Sequence, residues 1–68
     1  MTKYSLNYAY ADAMSIIAES KEPISFERLN TLLIGKGYSM GTSTAAISNV
    51  VDSCLIKVED GKLSHINI

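Results

Sequence analysis

The chain has 68 residues, 47% of them hydrophobic, six Lys and Arg against seven Asp and Glu, and a pI near 5.6. That size fits one domain, 1–68, with a single small core, and the near-neutral balance excludes a protein that coats nucleic acid by bulk charge. One cysteine, Cys54, and one histidine, His65, exclude an internal disulfide framework and the usual zinc spacings.

No apolar run approaches the ~20 residues of a membrane helix, and MTKYSLNYAYADAM is too polar for a signal peptide, so the expected setting is cytoplasmic and no membrane partner is expected. Leu6, Tyr10, Ala13 and Ile17 recur at helical spacing, widened by Ala9, Met14 and Ile16, and predict an amphipathic helix over 5–20. Pro23 ends it. A short extended piece, Glu22-Pro23-Ile24, is the candidate for a third strand beside a later hairpin.

Ser25 is a good N-cap for a second helix, with Ile24 before it placed to pack on Leu29 as a hydrophobic staple. Phe26, Leu29, Leu32 and Leu33 supply that helix's buried side, and Gly35 and Gly37 its left-handed stop. The segment GYSMGTST then reads as turn and cap, so Thr42 or Ser43 is expected to open a third helix with Ile47, Val50, Val51 and Cys54 inward. Its outward face is Thr44, Ala45, Ser48, Asn49 and Asp52.

The chain ends in IKVEDGKLSHINI, where an Asp60-Gly61 loop between two short apolar runs predicts a type I′ hairpin. The two-residue loop sets Glu59 opposite Lys62, Val58 opposite Leu63, Lys57 opposite Ser64 and Ile56 opposite His65. Ile56, Val58 and Leu63 share one face and must pack on the helices. The fold class is therefore α+β: three helices with a C-terminal β-hairpin and a short third strand at 22–24.

Over residues 22 to 66, PISFERLNTLLIGKGYSMGTSTAAISNVVDSCLIKVEDGKLSHI resembles the winged helix-turn-helix superfamily. The resemblance implies that the third helix enters the DNA major groove and that the hairpin is the wing. Two departures stand out: Cys54 occupies a position before the wing where the superfamily commonly has glycine, and the third helix carries no Lys or Arg.

Under that resemblance Asn49 is the candidate for paired hydrogen bonds to an adenine edge. Ser48 and Thr44 add bonds to bases or phosphates, Ala45 meets a thymine methyl, and Thr42 and Ser43 offer backbone N–H groups to a phosphate. Arg28, Lys36, Lys57 and Lys62 are the candidate phosphate contacts. Each has a plain alternative: a solvated helix side for the first group, caps for Thr42 and Ser43, and surface ion pairs, such as Lys62 with Glu59 across the hairpin, for the cations.

Tyr4, Tyr8, Ala11 and Ser15 set large aromatics beside small residues on the first helix, a pattern suited to a homodimer contact. Cys54 is read as an inert core residue and His65 as a partly buried strand residue. No convergent acid-base pair or phosphate loop is present, so the chain reads as non-enzymatic and free of cofactors. The expected partner is double-stranded DNA, with another protein as the alternative.

Overall fold

A computed structural model describes residues 6–65. The order is α1 (Leu6–Glu19), β1 (Ile24–Ser25), α2 (Phe26–Gly35), α3 (Met40–Val51), β2 (Ile56–Glu59) and β3 (Lys62–His65). Three helices lie against an antiparallel sheet of order β1-β3-β2, which is the winged-helix layout.

α1 buries Ala9, Ala13 and Ile17, while Leu6 at the edge of the predicted stripe stays exposed. The helix packs mainly on α3. Ala9, Ala13 and Ala46 of α3 are all fully buried, and their small side chains let the helices approach closely. α1 closes with the Ser20 N–H bonded to the Ile16 and Ile17 carbonyls, and Pro23 prevents its continuation.

β1 leads directly into α2. Ser25 caps it as expected, its Oγ accepting the Arg28 N–H at 3.1 Å, and the staple residues Ile24 and Leu29 are both in the core. At the far end Gly37 adopts φ 106°. Its N–H bonds Ile34 O, and the Tyr38 N–H bonds Leu33 O, with Tyr38 and Leu33 both buried: a complete Schellman stop with its hydrophobic contact. Gly35 is simply the last helical residue. Phe26, expected inside, is 36% exposed because it stands at the first helical position, a turn ahead of the buried Leu29 and Leu33.

α3 begins earlier than Thr42 or Ser43. Ser39 is its N-cap, accepting the Thr42 N–H at 3.1 Å and donating to Thr42 Oγ1 at 2.9 Å, so that Met40 and Gly41 form the first turn. The buried stripe moves back with it, to Ser43, Ala46, Ile47 and Val50. Cys54 is not a core residue: the helix stops at Val51, and Cys54 turns left-handed at φ 66° with its side chain exposed. Ser53 braces that exit, its hydroxyl donating to Val50 O and accepting the Leu55 N–H.

The hairpin register matches the expected pairs, and Asp60 and Gly61 both take positive φ, 55° and 73°, as a type I′ turn requires. The third strand is shorter than expected and shares only Ile24 with the predicted 22–24 stretch: it runs Ile24–Ser25 and pairs with β3 through Ile24↔Leu63 and Ser25↔Lys62. Ile56 and Leu63 enter the core, but Val58 is 43% exposed: it shares their face yet lies next to the turn, beyond the helices' cover.

Candidate nucleic-acid interface

On α3, Thr44, Ala45, Ser48 and Asn49 are exposed together, with Asp52 at the C-cap. Three of them follow from helical spacing, Ala45, Ser48 and Asn49 being i, i+3 and i+4. Among the described residues no side-chain hydrogen bond occupies Ser48 or Asn49, whereas the Thr44 hydroxyl is turned back onto Met40 O at 2.8 Å. The face carries no cation.

Ser43 is corrected. It is fully buried, and its Oγ donates to Asn30 Oδ1 of α2, so it fastens two helices together and has no access to a ligand. Thr42 is not itself the cap: it is the half-buried third residue of α3, its N–H and hydroxyl both engaged by the Ser39 cap.

The cations are scattered. Arg28 is exposed in the first turn of α2 and Lys36 in the turn after it. Lys57 and Lys62 do come together, with Glu59, Asp60, Pro23 and Ser64, around a hollow of about 310 Å³ on the outer face of the sheet. By strand alternation that face is opposite the one through which Ile56 and Leu63 pack on the helices. The expected Glu59–Lys62 pairing is also corrected: Glu59 Oε2 lies 2.9 Å from Lys57 Nζ two residues away on the same strand, both side chains largely exposed. That bond raises the Lys57 pKa and lowers that of Glu59.

Of the self-association patch, Tyr8, Ala11 and Ser15 are exposed on α1, and Tyr4 lies outside the described residues. Opposite this patch in role is Tyr38, which is buried and donates its phenol to Asp12 Oδ2 at 2.5 Å. That hydrogen bond, then burial, then the Asp12 charge push the Tyr38 pKa up to about 12. The bond fastens the α2–α3 turn to α1.

One feature escaped the sequence reading. Phe26, Glu27 and Asn30 of α2 and Thr44 and Ile47 of α3 line a shallow groove of about 230 Å³. Phe26 and Asn30 are one helical turn apart, which puts them on one side of α2, a spacing that a core position for Phe26 hides. Among the described residues no three His, Cys, Asp or Glu side chains gather to hold a metal ion, and no helix is long and apolar enough to cross a membrane. No family model, curated protein or solved structure matches this chain.

Proposed function

We propose that the chain is a small winged-helix DNA-binding regulator acting in the cytoplasm, with α3 laid in the major groove and the Asp60-Gly61 turn near the phosphate backbone. The observation that supports this best is the exposed Ala45-Ser48-Asn49 face of α3, whose Asn49 amide has no partner among the described residues. An unengaged amide on an exposed helix is equipped to make two hydrogen bonds to an adenine edge. Asp52 and the lack of α3 cations leave the affinity to Arg28, Lys36 and Lys62, because Lys57 is held by Glu59.

Three phosphate contacts give a salt slope of about −2.7, or a loss of roughly 40-fold between about 50 and 200 mM salt. Fluorescence anisotropy with labelled duplex DNA tests this. Lys36→Ala and Lys62→Ala lower affinity on every sequence and flatten the slope, while Asn49→Ala costs ~1–3 kcal/mol at one base position. No binding, or binding indifferent to salt, refutes the proposal.

A second reading is favoured by the Phe26–Ile47 groove: a winged-helix module that binds another protein's apolar side chain there. It expects binding that barely responds to salt or to Lys36→Ala and is lost on Phe26→Ala.

A further inference from the structure

The sheet has one well-formed border. In the order β1-β3-β2, β2 has β3 on one side and, among the described residues, no strand on the other. Strand geometry fixes what that border offers. A two-residue type I′ loop is closed by Glu59 and Lys62, which exchange their backbone hydrogen bonds across the hairpin. The N–H and C=O groups of the alternate residues, Val58 and Ile56, therefore point to the other side. The same alternation on β3 turns Leu63 away from β2, and there it meets Ile24 of β1. Leu63 is thus paired on both sides, whereas Val58 and Ile56 have no such neighbour among the described residues.

The side chains along this border are Lys57 and Glu59 on the outer face and the 43% exposed Val58 on the inner one. Charges commonly guard an open border against pairing. Two like charges would repel an identical strand in every alignment. A Lys-x-Glu sequence does not, and only one antiparallel alignment with a second copy satisfies it.

Backbone bonding requires the outward residues to face each other, which leaves three alignments. Val58 against Ile56 of the second copy sets Lys57 against Lys57. Ile56 against Ile56 sets Lys57 against Leu55 and leaves both charges of the border without an opposite charge facing them. Val58 against Val58 sets Lys57 against Glu59 twice, once on each side of the two-fold axis, and brings the two exposed valines together.

We propose that β2 is a self-association edge, through which two copies pair antiparallel about Val58 into one continuous six-stranded sheet. The existing Lys57–Glu59 bridge, already formed at 2.9 Å, becomes part of a four-charge cluster across the axis. Ile56 then faces Asp60 of the turn, so the contact is short, three residues per strand from 57 to 59, and the dimer is weak and forms with rising concentration.

Sedimentation equilibrium of the full chain tests this. The mass rises from 7.4 kDa toward twice that value as concentration increases. Lys57→Glu alone opposes Glu to Glu at both positions, and Glu59→Lys alone opposes Lys to Lys; each weakens the dimer about tenfold. The double exchange Lys57→Glu/Glu59→Lys restores opposite charges and returns the association to the wild-type range. Circular dichroism verifies that each variant is folded. A chain that stays monomeric at millimolar concentration overturns the proposal, as does a dimer indifferent to both single reversals, which would place the contact elsewhere, such as the Tyr8-Ala11-Ser15 side of α1. Loss in the single variants without recovery in the double one overturns the alignment and the proposal with it.

Discussion

Replacing Cys54 by glycine should make this protein more stable, although it removes a side chain. Cys54 stands at φ 66° between the end of α3 and the start of β2, in the left-handed region that costs an L-residue about 1–2 kcal/mol. Glycine has no such penalty, but it loses more freedom on folding, an opposing effect of about 0.4–1 kcal/mol. The Cys54 side chain is exposed and contributes only a 4.0 Å contact to Asp52 O, so little packing is given up. The difference is a net gain of roughly 0.5–1 kcal/mol, or about 2–8 °C in the midpoint of a domain this small. Thermal unfolding followed by circular dichroism under reducing conditions measures it. Cys54→Ala keeps the Cβ and should fall within ~0.5 kcal/mol of wild type, which separates relief of strain from removal of the thiol. A glycine variant less stable than wild type, or an alanine variant with the same gain, would refute the reasoning.

Two further expectations concern the core and its polar tie. Leu63→Ala empties a fully buried site on the central strand, at a cost of about 2–5 kcal/mol against a total of about 3–5 for a core this small, so the variant should be largely unfolded at room temperature; a urea midpoint close to wild type would contradict the packing described. For Tyr38, whose pKa rises from 10.0 to about 12, the neutral phenol is the form the fold favours. Its stabilising contribution is complete below pH 10 and is lost as pH rises toward 12. An absorbance titration should show one late-ionising tyrosine that disappears in Tyr38→Phe; if the late component persists in that variant, the bond to Asp12 is not its cause.

What could be read from the residues alone depended on whether the cause was local. The hairpin and its pairing follow from Asp60-Gly61 and the alternation on either side, and the start of α2 from Ser25 with Ile24, all within a few positions of one another. The start of α3 is hidden from local pattern because Gly41 resembles a helix breaker, yet here it is an exposed first-turn residue tolerated behind the Ser39 cap. The fate of Ser43 depends on Asn30, thirteen residues away on another helix, and no local pattern reveals such a partner. The helical stripe points Cys54 inward only if it is continued past Val51, where the helix ends. For the candidate interface, the α3 face and the outward stance of Lys57 and Lys62 are legible as periodicity, while the Phe26 groove requires knowing how α2 sits against α3.

Ser25 belongs to two structures at once. Its backbone is the last rung of β1, paired with Lys62, and its hydroxyl holds the first turn of α2. A tug on the ribbon is therefore delivered to the root of that helix with no slack linker between them. Ribbon and helices should melt as a single cooperative event, and an object seated under the ribbon would be sensed at the helical end of the molecule.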